Sequence, residues 1–343
     1  MEQRRHKSKR KSPDTSHGWR KRKVPSDILT LTLNPALDVL TSIDKVESTH
    51  KMRCDSAIEH PGGGGVNVAR VLHRLGASCV AAYTAGGVTG ERHHQLMLQE
   101  KVRCHLLPIA NETRESFSVH ENSSGQDFRF VLPGPTISDN EVQACFEFVA
   151  SHLPKKFLVI SGGIAPGVPI DLYALLTRLA NQHGVPVVLD ANGPALHAAL
   201  QEGVFLFKPS LRELSELVGH DLTDAPSWIA ACRALIDQKK AQVIALSLGE
   251  QGAILVRLVL RREPTIVRQL QRDVPQFIER LTGLHTGGGP APSGSDSTSP
   301  SLQPAGSAHV SAQSVADTGH HRGAESDQYL IPALDAEVMM YFA

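Results

Sequence analysis

Phe157-Leu158-Val159-Ile160-Ser161-Gly162 opens the stretch whose reading decides the fold. Four apolar residues end there in Ser-Gly, and a helical pattern follows over 172–181. The rhythm then repeats: Val187-Val188-Leu189-Asp190, a helix near 194–200, Val204-Phe205-Leu206-Phe207, helices over 211–218 and 228–238, and Val243-Ile244-Ala245-Leu246-Ser247-Leu248. Short, almost wholly apolar runs are what strands need when both faces are buried, and their alternation with helices predicts a mostly parallel sheet covered on both sides. Ligands of such sheets bind beyond the carboxyl ends of the strands. The polar positions to follow are therefore Asp38, Ser161-Gly162-Gly163, Asp190, Lys208-Pro209-Ser210 and Ser247-Leu248-Gly249.

The same logic extends toward the N-terminus. Ile28-Leu29-Thr30-Leu31-Thr32-Leu33 alternates apolar residues with Thr and stops at Asn34-Pro35, a strand ended by a turn with Asp38 at its mouth. Pro61-Gly62-Gly63-Gly64-Gly65-Val66-Asn67 then runs straight into a helical stripe at Val68, Leu72 and Leu75. A flexible linker would sit between polar, sequence-poor segments. Bare glycine amides feeding a helix N-terminus are instead suited to holding an anion. Further on, 116–121 and 127–132 alternate around Asn122-Ser123-Ser124-Gly125 and predict a β-hairpin with one apolar face, fit for a lid or a dimer contact.

The chain of 343 residues balances 35 Lys and Arg against 35 Asp and Glu, but unevenly. The first twenty-four residues hold ten Lys or Arg and only two acids, so the remainder is acidic. This head has almost nothing apolar to bury and predicts a disordered extension over 1–26, either simply solvated or an electrostatic arm for nucleic acid. Neither a signal-peptide core nor a membrane-spanning run is present, which predicts a cytoplasmic location. Five cysteines are scattered singly, as expected of reduced thiols. His93-His94 and His320-His321 are adjacent pairs rather than i, i+4 pairs on one helix face, and no structural metal is assigned to them.

Taken in order, the segments 31–38, 51–54, 61–70, 128–134, 160–163, 208–214 and 246–249 resemble the ribokinase-like (PfkB) sugar kinases, in the branch of B-type 6-phosphofructokinases, 1-phosphofructokinases and tagatose-6-phosphate kinases. The resemblance spans roughly 28–256. It implies an α/β fold, a doubly wound mostly parallel sheet with a small β lid, and ATP-dependent phosphorylation of a ketose phosphate, fructose 6-phosphate first. By the same resemblance Asp38 and Asn67 hold sugar hydroxyls, Gly62, Gly63, Gly64 and Gly65 form the sugar-phosphate side of the cleft, and Lys51, Arg53 and Arg114 hold the phosphate already on the sugar. Arg suits bidentate phosphate contact and Lys supplies a point charge. Lys208, Ser210, Ser247 and Gly249 fall on the ATP-facing loops, and Glu213 organises Mg²⁺ through water, as a reluctantly dehydrated ion requires. Ser210 stands where the family usually has Asn. A homodimer through the lid hairpin is implied by analogy.

One departure bears on turnover. Beyond Gly252-Ala253-Ile254-Leu255-Val256 the family pattern continues to Gly-Ala-Gly-Asp, which supplies the general base and an anion hole, and no such motif occurs in this sequence. Losing a base costs about 10²- to 10⁴-fold and losing an oxyanion donor about 10²- to 10³-fold. The reading is of a kinase domain over 27–256, incomplete at its C-terminal side, and a tail over 257–343 outside the family and largely disordered. The tail is Arg-rich at first, then dominated by Gly, Ser, Pro, Thr and Ala, then apolar over 329–343, which accords with a reading frame that departs near Val256. No catalytic base is assigned. Three functions follow: a working sugar-phosphate kinase, a sugar-phosphate-binding protein without turnover, or a nucleic-acid-associated protein acting through its basic head.

Overall fold

The apolar strands read from the sequence lie side by side in one sheet. The structure is a computed structural model that describes residues 26–48, 50–259 and 325–331. In chain order it contains β1 (Ile28–Thr32), β2 (Ala36–Ile43), β3 (Ile58–Gly62), α1 (Gly64–Arg74), β4 (Cys79–Ala85), α2 (Gly87–Gln99), β5 (Cys104–Pro108), β6 (Arg114–Glu121) and β7 (Gln126–Val131). There follow α3 (Asp139–Ser151), β8 (Phe157–Ser161), α4 (Leu172–Gln182), β9 (Val187–Asp190), α5 (Gly193–Gln201), β10 (Val204–Phe207), α6 (Leu211–Val218), α7 (Ala225–Asp237), β11 (Ala241–Ser247), β12 (Ala253–Val259) and β13 (Glu325–Ile331).

The large sheet has the order β13-β12-β11-β10-β9-β8-β1-β4-β5, parallel from β5 to β11 and antiparallel at β12 and β13. From β1 the chain moves outward to β4 and β5, then returns to the other side of β1 with β8 and moves outward the opposite way. The crevice between the carboxyl ends of β1 and β8 is thus the topological switch point, where such sheets bind ligands. One core cluster joins the strands to α3 through α7, including Leu31, Ile160, Tyr173, Leu189 and Phe207. A second packs Val66 and Ala69 of α1 and Met97 of α2 against Ala81 and Tyr83 of β4.

A smaller sheet, β3-β2-β6-β7, forms the lid. Its hairpin is the one read from the sequence, with Phe117 opposite Phe130 and Val119 opposite Phe128. Two parts of it differ from that reading. The chain resumes an extended course directly after Asn34-Pro35, so Asp38 sits inside an eight-residue strand rather than in a loop at a strand's mouth. Strand β3, Ile-Glu-His-Pro-Gly, has no alternation to betray it and forms because β2 supplies the pairing.

At the other end, β12 runs past residue 256, where the sequence reading closed the domain, and pairs along its length with β13. Its partner lies some seventy residues on in a composition read as disordered, and nothing local announces so distant a pairing. The remaining expectations for the basic head and for 260–324 and 332–343 fall outside the described residues. Among the described residues no helix is long and apolar enough to cross a membrane.

Candidate functional site

The glycine run is wedged rather than loose. Gly63 takes φ +125°, and a methyl group there would lie 2.9 Å from Thr32 Cγ2. On Gly65 a methyl would meet Thr32 Oγ1 at 2.6 Å and the Leu31 carbonyl oxygen at 3.0 Å; on Gly62 it would collide with the Asp38 carboxylate, and on Gly64 with Ser161 Oγ. The run therefore threads the switch-point crevice, with β2 on one side and the ends of β1 and β8 below. Helix α1 starts from it without a side-chain cap and with no acid in its first turn, so its first amides remain available to an anion.

Asp38 faces this cradle. The strand register sets it opposite His60 on β3 and Ser116 on β6. Burial raises its pKa, while the neighbouring charges of Arg129, Arg114, Arg70 and His60 pull the other way. A half-buried carboxylate thus sits within the field of three arginines, Arg129, Arg114 and Arg70. Arg70 supports the cradle from behind: it donates to the Pro61 carbonyl and to Asn67 Oδ1, each at 3.2 Å, and is anchored by Glu100 at 2.6 Å. With its Oδ1 engaged, Asn67 has its NH₂ left to offer a hydroxyl. Arg114 donates to the Leu132 and Asn34 carbonyls at 3.1 Å, tying the lid hairpin to the turn after β1.

Asp190, Lys208 and Ser161 form the next group along the sheet edge. Lys208 Nζ lies 3.6 Å from Asp190 Oδ1, and Ser161 Oγ donates to Asp190 Oδ2 at 3.2 Å. Burial lifts the Asp190 pKa to about 6, helped by the Glu213 charge and opposed by Lys208. Because Gly64 packs on Ser161, an unbroken line of contacts runs Asp38, Gly62, Gly64, Ser161, Asp190, Lys208. Beyond it, Ser210 caps α6 in a reciprocal box with Glu213, whose Oε2 accepts from the Ser210 N–H and Oγ–H at 2.8 Å. Ser247 donates its N–H to the Pro209 carbonyl at 2.8 Å, and Gly249 adopts φ +59° in open space.

The structure thus brings together Asp38, Gly62, Gly63, Gly64, Gly65, Asn67 and Arg114 on one side, and Lys208, Ser210, Glu213 and Ser247 on the other. It does not bring Lys51 or Arg53 to Asp38. Both lie exposed between β2 and β3, where neither makes a hydrogen bond or ion pair among the described residues. Sequence reasoning missed Arg70, Arg129 and His60 as companions of Asp38. Arg70 was accessible, three residues after Asn67 on one helix face; His60 and Arg129 needed the lid register.

Comparison with known proteins gives a consistent picture. Residues 32–274 match the model of the pfkB family carbohydrate kinases. The chain is similar to ATP-dependent 6-phosphofructokinase isozyme 2 of Mycobacterium tuberculosis, 44% identical over 229 residues covering 66% of this chain and 67% of the relative. To the protein of the same name from Escherichia coli it is 38% identical over 228 residues, covering 66% and 74%. Among solved structures it resembles phosphofructokinase-2 from Escherichia coli in complex with fructose-6-phosphate, with TM-score 0.65, 36% identity and coverage of 69% of this chain and 78% of that one.

Proposed function

The chain belongs to the pfkB family of carbohydrate kinases, and from that premise we propose that it binds a ketose phosphate, fructose 6-phosphate first, and ATP as phosphoryl donor. One observation carries this reading: the unbroken line from Asp38 through the glycine cradle and Ser161 to Asp190 and Lys208 at the switch point. It gives two polar subsites a shared wall. In this reading Asp38 and the Asn67 amide take sugar hydroxyls, with Arg114 and the cations near Asp38 favouring the sugar's phosphate. Lys51 and Arg53 join them only if the connection carrying them, 51–57, swings inward.

Lys208, Ser210, Ser247 and Gly249 would face the nucleotide. Among the described residues no cluster of three His, Cys, Asp or Glu could hold a metal ion alone. The residues fit Mg²⁺ held mainly by water and phosphate oxygens, since the Glu213 charge disfavours ionisation of Asp190 and a nearby cation would relieve it. Bound there, the ion would neutralise charge on the transferring phosphate. A cytoplasmic location and a homodimer through the lid belong to the same reading, the latter supported by Phe117, Phe130 and Val131 standing exposed on the hairpin.

The absence of Gly-Ala-Gly-Asp from the sequence favours a second reading, a protein that binds sugar phosphate without turning it over. Calorimetric titration with fructose 6-phosphate, beside a coupled ADP-release assay, separates the two. Binding with turnover supports the kinase, and binding with turnover at the uncatalysed level supports the second reading. No binding, with Asp38→Ala indistinguishable from the parent chain, rejects both.

A further inference from the structure

Of the adjacent histidines that the sequence leaves without a metal, His94 turns to the Tyr83 hydroxyl at 2.7 Å, while His93 turns to the cradle. His93 is completely buried on α2, its ring against that of Tyr83 at 4.9 Å, and its Nε2 lies 3.0 Å from the carbonyl oxygen of Gly62. A carbonyl can only accept, so Nε2 must carry the proton. Nδ1 has no hydrogen-bond partner among the described residues. Burial, opposed by the hydrogen bond to Gly62 and reinforced by His94 and Arg70, moves the ring's pKa down to about 4, so it stays neutral and holds one tautomer. The Gly62–Gly63 peptide is trans, and a trans peptide points its N–H opposite to its C=O. A donor that fixes the Gly62 carbonyl toward α2 therefore fixes the Gly63 N–H away from it.

We propose that His93 is a positioning residue, whose Nε2–H clamps the Gly62 carbonyl and so aims the Gly63 amide and seats Gly62 against Asp38. The clamp's use to a ligand rests on the reading of the glycine run as a sugar-phosphate cradle. His93 touches no substrate in this arrangement; it acts through the peptide it holds.

The test exchanges the donor's position while keeping polarity. In His93→Gln the amide nitrogen falls near the place of Nε2, whereas in His93→Asn it falls near Nδ1 and cannot reach Gly62. Fructose 6-phosphate affinity should stay within about threefold in the Gln variant and fall about tenfold in the Asn and His93→Leu variants, with ATP affinity unchanged in all three. Without ligand, imidazole ¹⁵N shifts should show the Nε2–H tautomer with no titration between about pH 5.5 and 8. Exchange of the Gly63 amide should accelerate in the Asn and Leu variants and not in the Gln variant. An Nδ1–H tautomer, or equal behaviour of Gln and Asn, overturns the clamp. If the parent chain binds no fructose 6-phosphate yet the tautomer and exchange pattern hold, the clamp stands and the sugar-phosphate reading fails; if all variants bind it equally, the reverse is true.

Discussion

Asp190 shows at the scale of one residue how the site holds stored electrostatic tension. Its carboxylate is raised from 3.8 to about 6 by burial, and Lys208 at 3.6 Å offsets only part of that. A folded-state pKa above the unfolded one means that the charged form opposes folding. The penalty is absent below about pH 3.8, grows as pH rises through about 6, and is complete above it. Asp190→Asn, which removes the charge but keeps the size, should stabilise the chain by about 1–3 kcal/mol at pH 8. That advantage should vanish below pH 4, as read from urea midpoints across the range. A constant difference at all pH values would mean that packing and not charge sets it. Strand-end position made Asp190 visible in the sequence; its elevated pKa was not visible, because that depends on how many neighbours exclude water.

Helix α1 poses the element-scale question of why a run of four glycines spans its start, with Gly62 and Gly63 before it and Gly64 and Gly65 in its first turn. Alanine is ordinarily the better helix former, by about 1 kcal/mol over glycine. At Gly65 the opposing term is a methyl at 3.0 Å from the Leu31 carbonyl oxygen, a backbone atom that cannot swing aside, and overpacking of this kind costs about 1–3 kcal/mol. Gly65→Ala should therefore destabilise despite its propensity gain, by a net of up to about 2 kcal/mol, measurable as a lower denaturation midpoint with an unchanged m-value. Stabilisation would show that β1 yields and that the close approach is not required. The helix itself was legible from its stripe, and so was the start of that helix within the glycine run. Element ends were legible where chemistry marks them: Ser210 with Glu213 makes a capping box at the start of α6, which gives the serine found in place of asparagine a structural role. Helix α7 begins three residues earlier than its apolar pattern suggests, because Asp224 caps it and Pro226 is tolerated in the first turn. Strand β3 and the extension of β2 were not legible, since their stability comes from each other and from β6 rather than from their own residues.

Across the whole molecule, the large sheet must finish somewhere, and it finishes at β13. Strand β12 places Ile254 and Val256 in the main core, with Ala253 buried on the opposite face, and packs beside α7, so it is bound firmly on one edge by β11. Its other edge is covered by Glu325–Ile331, in register from Ala253 opposite Ile331 to Val259 opposite Glu325. This pairing is what the sequence could least reveal, because a closing strand so far along the chain is recognised only by the edge it covers. Deleting 325–331 would leave a row of unpaired backbone groups on an apolar strand, the kind of edge that templates association. The deletion should lower the melting temperature by on the order of 5 °C, at about 2–4 °C per kcal/mol for a domain of this size. It should also produce concentration-dependent light scattering that the full chain lacks. Affinity for fructose 6-phosphate should be far less affected, because the cradle lies at β1 and β8, five strands from the lost edge. An unchanged melting temperature and a monodisperse deletion variant would show that β12 closes the sheet unaided. Loss of binding together with melting would instead show that the two ends of the sheet fold as one unit.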